Sequence, residues 1–407
     1  MREKENLFFI CHGIDSNLGS EPQVSWRWLK LFSKKIDITV IIESFWYERL
    51  VSSIHKEGLT GKIKIISIPM SMNSKKLYHF GLQIKHIIWT FKVAKKINQI
   101  VPIKNAKVVY VTLSTTYLPP LAFRKCRSLW WGPIGICETE PLKVINKLPI
   151  KLFISEIFRN IFVFSMTNIG FIFCRKAIKH GTILSRTPDY KKILIDGYKA
   201  DKVHVIPELV DLVAHIPEVA IHEAKNRKNN TIKKIAFVGD IKRAKKNFYG
   251  SLILIQKLIK LSGDDVELYI FGSPNASKSI KKVINQCKVT IYPKLERDEY
   301  LFELARCHML VFPSIREGYS STLMEALQLE LSCIAYEVGG NITFRENPRL
   351  TLIPKNLKLE SNDINILIMN WLDKIKKIGD DKNISVNILN SEFANKIIDN
   401  YLQDHRK

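Results

Sequence analysis

Short apolar runs alternate with helical patterns along the whole chain, and this alternation is the strongest constraint on its fold. The first series places strands near 7–11, 36–42, 63–68, 107–113 and 128–131, with helices near 22–34, 77–99 and 152–180. Two further short strands follow at 182–185 and 203–206. Residues 222–234 are polar and lack a clear period, and read as an interdomain stretch. A second series then runs strand 235–238, helix 247–261, strand 266–271, helix 276–286, strand 288–291, helix 298–306, strand 309–312, helix 321–329 and strand 332–336. Strands joined through helices make βαβ units and parallel sheets. Two α/β domains are therefore expected, 1–212 and 213–385, closed by helices near 361–378 and 386–404.

At 407 residues with 46% apolar side chains, the chain can bury two cores and is not low-complexity. Seven cysteines show no Cys-x-x-Cys pair and no His/Cys cluster at metal spacing, which argues against a disulfide framework or zinc site and fits a reducing cytoplasm. The apolar start Leu7-Phe8-Phe9-Ile10 is too short for a signal peptide and reads as a strand. The longest uncharged stretch, 160–174, is shorter than the roughly 17–25 residues of a membrane span and reads as a buried or interfacial helix. A net charge of +24 asks for an anionic partner. Its lysines spread through amphipathic segments without a nucleic-acid-binding pattern, so an anionic membrane surface is favoured over nucleic acid.

Four segments carry the chemistry. Strand 309–312 leads through Pro313-Ser314 into Arg316-Glu317-Gly318-Tyr319-Ser320, and then into a helix bearing Glu325. Two carboxylates thus bracket a turn at the carboxyl end of a strand, where open α/β sheets bind ligands. The helix start also supplies free N–H groups for anions or hydroxyls. A structural alternative is a capping box from Thr322 to Glu325. Strand 235–238 ends at Gly239, followed by the basic loop Lys242-Arg243-Ala244-Lys245-Lys246-Asn247. Glycine permits close backbone approach to a diphosphate, and lysine or arginine supplies charge. A solvated loop is the plain alternative. Near the start, Gly19-Ser20-Glu21-Pro22 forms either a phosphate or acceptor loop or a helix cap. Trp131-Gly132-Pro133-Ile134-Gly135-Ile136-Cys137-Glu138 is the fourth segment.

Taken in order, these segments resemble the retaining glycosyltransferases of the GT-B fold, family 4 type, whose signature is Glu-x7-Glu. The resemblance implies two Rossmann-like domains facing each other across a cleft, with the last helix (about 386–407) crossing back onto the first domain. It implies transfer of a hexose from a nucleotide-diphosphate sugar to a lipid-linked saccharide in O-antigen, capsule or exopolysaccharide assembly. The enzyme would be cytoplasmic and peripheral on the inner face of the plasma membrane, with no cofactor, no metal and no nucleic-acid partner. Glu317 would orient the sugar and Glu325 the ribose. Lys246, helped by Arg243, would neutralise the diphosphate beside Gly239, and the N–H groups of Gly318, Tyr319 and Ser320 would hold it or the sugar hydroxyls. Gly19, Ser20, Glu21 and Glu138 would face the acceptor or phosphate. GDP-mannose, UDP-glucose, UDP-galactose and their N-acetyl relatives stay open as donors. The chain departs from the pattern in four ways, the first being a basic loop after Gly239 that is one residue longer. Asp240 stands where an arginine is expected, Tyr110 where a histidine is expected, and several glycines are replaced. A degenerate protein that binds donor without catalysis is the alternative these departures suggest.

Overall fold

The computed structural model describes residues 7–16, 21–70, 80–111, 115–135, 148–206, 216–227, 233–241, 243–262, 266–272, 287–318, 320–377 and 391–403. The chain divides into two compact units. One comprises Met1–Cys137, Ile161–Leu212 and Ile388–Lys407, the other Glu138–Asn160 and Val213–Asn387.

The first unit is built on a seven-stranded sheet. Its strands are β1 (Leu7–Ile10), β2 (Ile38–Glu43), β3 (Ile63–Ile68), β4 (Lys107–Tyr110), β5 (Ser128–Ile134), β6 (Thr182–Ser185) and β7 (Lys202–Val205), in the order β3-β2-β1-β4-β5-β6-β7. Every pairing is parallel. The inner strands β1, β4, β5 and β6 are buried throughout and carry no alternation, because both of their faces are covered. Leu7 and Phe9 enter one apolar cluster, and Phe8 and Ile10 enter the other. The chain's last described helix, Ser391–Gln403, belongs to this unit. Its Ala394, Ile397, Ile398, Tyr401 and Leu402 share a cluster with β1 and β2, and Tyr401 donates to the Val108 carbonyl at 3.3 Å.

The second unit repeats the plan with β8 (Lys233–Val238), β9 (Val266–Phe271), β10 (Lys288–Tyr292), β11 (Met309–Phe312), β12 (Ser332–Tyr336) and β13 (Leu350–Ile353). Their order is β10-β9-β8-β11-β12-β13, again all parallel. The strand order reverses between β8 and β11, and the crevice above the carboxyl ends of those two strands is where such a sheet takes a ligand.

Two expectations change. Residues 222–226 of the polar stretch are helical, as part of Glu218–Asn226, whose Ala220 and Ala224 are buried. Two alanines four residues apart make too narrow an apolar face to stand out among charges. Arg227 then ends that helix by donating to the carbonyls of Ala305 and Leu329 at 2.8 and 2.6 Å. Segment 138–160, expected in the first domain, clusters with the second, because Leu148, Leu152, Phe153 and Ile157 pack into its core. The helix expected near 152–180 is present as Ile150–Phe173; it contains the uncharged residues 160–173 and is not buried on all sides. The helix expected at 276–286 lies outside the described residues.

Candidate active site

At the carboxyl end of β8, Gly239 has φ +145°, a conformation that side chains rarely adopt. A Cβ there would come within 2.9 Å of the Lys246 side chain, so glycine is what lets the lysine stem fold back along the strand end. The loop between them turns through Arg243 N–H to the Asp240 carbonyl and Lys246 N–H to the Arg243 carbonyl, both 3.0 Å. Asn247 follows with φ +48°, which asparagine tolerates better than most residues. Its side-chain oxygen accepts from Gly250 N–H at 3.2 Å and caps the helix Phe248–Ser262.

Beyond β11 the chain makes a second turn fastened to the first. Ile315 N–H donates to the Lys245 carbonyl at 2.9 Å, and the Ser314 hydroxyl oxygen lies 2.8 Å from the same carbonyl. This brings Glu317 to Lys246: the lysine Nζ donates to Glu317 Oε1 at 2.7 Å, and the Ser314 hydroxyl donates to the same oxygen at 2.7 Å. Lys246 Nζ also lies 4.7 Å from the centre of the Phe312 ring. Burial opposes charge on Glu317, but Lys246, Lys245 and the two hydrogen bonds outweigh it and hold the carboxyl below its ordinary range. The result is an ionised carboxylate and a lysine fixed side by side at the strand ends.

Ser320, not Thr322, caps the following helix Ser321–Gln328, its hydroxyl accepting from Leu323 N–H at 3.2 Å. Glu325 is thereby released from the capping-box alternative. Its carboxylate is 4% exposed and accepts instead from Arg297 Nη1 at 3.0 Å. Burial raises its pKa despite the arginine. Glu325 and Arg297 line a cavity of about 290 Å³ together with Gly239, Gly272, Pro293, Tyr300 and Thr322. The cavity thus collects the carboxyl ends of β8, β9 and β10 and the start of a helix, with one buried carboxylate and one half-exposed arginine in its wall. Such a wall suits a ligand that carries both hydroxyls and phosphate.

Residues 219–349 match the family model of glycosyl transferases group 1. Over 348 residues the chain is 24% identical to the capsular polysaccharide biosynthesis glycosyltransferase CapM of Staphylococcus aureus, covering 81% of this chain and 86% of that one. The chain is a glycosyltransferase. Its two parallel-sheet units have the GT-B fold. WaaG, a glycosyltransferase involved in lipopolysaccharide biosynthesis, superposes with a TM-score of 0.57 at 13% identity, over 96% of this chain and 99% of that one. Anabaena HepE, solved in complex with UDP-glucose, gives 0.53 at 13% identity over 98% and 99%.

Within this glycosyltransferase the expected residues divide into three groups. Glu317 meets Lys246 directly, and Gly239 and Glu325 share the cavity wall. Arg243 is largely exposed and pairs across its turn with Asp240 at 3.9 Å, so it is not drawn to the lysine. The expected arginine position and its proposed replacement have thus become partners of each other. Gly318 lies in the turn between Glu317 and the capping Ser320, while Glu21 opens the helix Glu21–Ser33. Gly19, Ser20, Glu138 and Tyr319 lie outside the described residues. Among the described residues, no three His, Cys, Asp or Glu side chains come together as a metal site. The sequence reading missed Arg297 and Tyr300, which only the packing of the helix Arg297–Ala305 against the helix carrying Glu325 reveals.

The glycosyltransferase's Tyr110 ends β4 fully buried, and its hydroxyl hydrogen-bonds His86 Nε2 at 2.9 Å. The His12 ring meets the His86 ring edge-on at 5.6 Å. A histidine therefore does lie at this strand end, contributed by the helix Phe80–Asn98 and not by the strand. Burial pushes the His86 pKa from 6.5 down to about 3, with His12 adding repulsion. The unfolded chain's histidine still protonates near 6.5. The stability that neutral His86 contributes is therefore full above pH 6.5 and is lost as pH falls from there towards 3. Urea unfolding between pH 7 and pH 5 should show a loss approaching about 1.4 kcal/mol per pH unit from this group. His86→Phe should flatten the slope by that amount, and an unchanged slope would contradict the assignment.

Glu325→Ala tests the cavity. It removes a charged acceptor worth about 1.5–3 kcal/mol, so KM for the donor should rise roughly ten- to hundredfold. Steady-state kinetics with kcat falling and KM unchanged would place Glu325 elsewhere in the reaction.

Proposed function

We propose that this chain is a retaining glycosyltransferase, moving a hexose from a nucleotide-diphosphate sugar to a lipid-linked saccharide in surface-polysaccharide assembly at the membrane. The observation that carries the reading is the joining of two strand-end turns at the reversal point of the second sheet. Lys246 and Glu317 are locked together there, and Gly239, which abuts the Lys246 side chain, lines the cavity that holds Glu325. The nucleotide occupies the cavity, with its ribose hydroxyls donating to Glu325. The diphosphate lies over Gly239, whose lack of a side chain permits close approach. Lys246 neutralises it as the bond from the sugar carbon to phosphate oxygen breaks, and Glu317 orients the sugar. The acceptor hydroxyl attacks from the same face, and its proton passes to the departing phosphate oxygen. Electrostatic stabilisation of the leaving group supplies most of the rate.

The HepE complex with UDP-glucose supports a nucleotide-sugar donor. The capsular and lipopolysaccharide roles in the names of CapM and WaaG support a surface-polysaccharide product. The test is the anomeric configuration of the product formed from each nucleotide sugar with a membrane lipid extract, read by NMR. A product with the donor's configuration is expected, and an inverted one would overturn the mechanism.

A further inference from the structure

The helix Ile150–Phe173 exposes a stripe that the site does not use. Ile150, Ile154, Phe158, Ile161, Phe164, Ile169 and Ile172 recur at helical spacing, and Phe158, Phe164 and Ile172 are 60%, 68% and 73% exposed. Solvent-facing apolar surface of this length marks an interaction face. By length and composition the helix is sufficient to cross a membrane. Its opposite face, however, is committed. Leu152, Phe153 and Ile157 pack into the core of the second unit, and Glu156 is buried in an ion pair with Arg316. Further along, Val163, Phe162 and Met166 pack with Tyr117, Leu118 and Ile87 in the first unit. Crossing would strip both sets of contacts and carry Lys151, Glu156 and Arg159 into hydrocarbon, whereas lying flat keeps every one of them.

Charge identifies what covers the stripe. Lys151 is exposed at its start, and Arg175, Lys176 and Lys179 are exposed just past its end. The helix's only carboxylate, Glu156, is buried. The helix Phe80–Asn98, which meets it through Ile87, adds exposed Ile84, Ile88 and Phe91 beside exposed Lys95 and Lys96, and contains no acid. Exposed Asp196 and Asp201 also lie near its C-terminal end, the latter paired with His180, but lysine and arginine dominate the flanks at both ends. An apolar stripe with such flanks matches acyl chains under anionic headgroups. We propose that the helix Ile150–Phe173 docks this glycosyltransferase flat on an anionic bilayer, its apolar stripe turned into the boundary of headgroups and acyl chains. The inference deepens the reading of the acceptor as lipid-linked, but it is tested without donor or acceptor.

The experiment is co-sedimentation of the full chain with vesicles of equal parts phosphatidylcholine and phosphatidylglycerol, and with phosphatidylcholine alone. Wild type should partition onto the mixed vesicles and much less onto the neutral ones. The combined variant Phe158→Gln, Phe164→Gln, Ile172→Gln should lose at least about tenfold in partition coefficient. Its thermal shift with nucleotides should match wild type, which separates loss of docking from loss of the donor site. Undiminished binding by the variant, or equal binding to neutral vesicles, would overturn the proposal. So would a wild-type chain that stays off both vesicles and forms a stripe-dependent dimer by light scattering.

Discussion

Lys246→Ala should reduce kcat by at least about a hundredfold, because removing one charge-stabilising contact from a developing anion costs roughly 2.7–4 kcal/mol in comparable sites. The substitution also strands Glu317, whose side chain is only 9% exposed and whose charge depends on that lysine. A stranded buried charge can itself cost about 3–5 kcal/mol of stability, so loss of activity alone would be ambiguous. The double variant Lys246→Ala, Glu317→Gln removes the stranded charge while keeping an acceptor for the Ser314 hydroxyl. This variant should unfold close to the wild-type urea midpoint and remain inactive. Turnover by a folded Lys246→Ala protein within a few fold of wild type would mean that the lysine serves only the architecture of the two turns.

The second large effect is on stability and involves the arginine immediately before Glu317. Arg316 is buried and forks onto Glu156, with Nη2 to Oε1 at 3.0 Å and Nη1 to Oε2 as the second bond. Paired donors and acceptors of this kind fix geometry as well as energy. Glu156→Ala leaves the guanidinium buried without its carboxylate, and the expected cost is about 3–5 kcal/mol in urea unfolding. Combining it with Arg316→Met should recover much of that loss, since replacing both charges by apolar groups is often close to neutral. An unchanged midpoint in Glu156→Ala, or no recovery in the double variant, would contradict this role. The pair ties the turn before Glu317 to the helix Ile150–Phe173, so the proposed donor-site loop is fastened to the proposed membrane-docking element.

What the sequence revealed and what it concealed follow from the range of the interactions. Strands such as β8 and β11 are buried on both faces and read as plain apolar runs, which is why both α/β series were visible. Gly239 and the Lys246-Asn247 pair sit at the local strand-to-helix junction, where residue type alone implies a tight turn and a charge. The partners of these residues are not local. Arg297 reaches Glu325 from 28 positions away, and Glu156 reaches Arg316 from 160. No periodicity encodes such pairings. The Thr322 capping box was plausible by spacing, but Ser320 begins the helix earlier and takes the cap. Tyr110 in place of a histidine looked like a gap, yet the tyrosine hydroxyl bonds His86 from a neighbouring helix. One helix could have been found. Thr187-Pro188 supplies both a capping hydroxyl and an N1 proline for Pro188–Tyr198, a start signal that is local and legible in the sequence.

The central claim is that the cavity around Glu325 and Gly239 binds the nucleotide of the donor. Thermal unfolding with UDP, GDP and their sugars, on wild type and on Glu325→Ala, tests it most directly. At about 100 times its Kd, one nucleotide should stabilise the wild-type chain by about 2.7 kcal/mol, and the variant should lose most of that gain. No stabilisation by any nucleotide, or an equal gain in Glu325→Ala, would contradict the account.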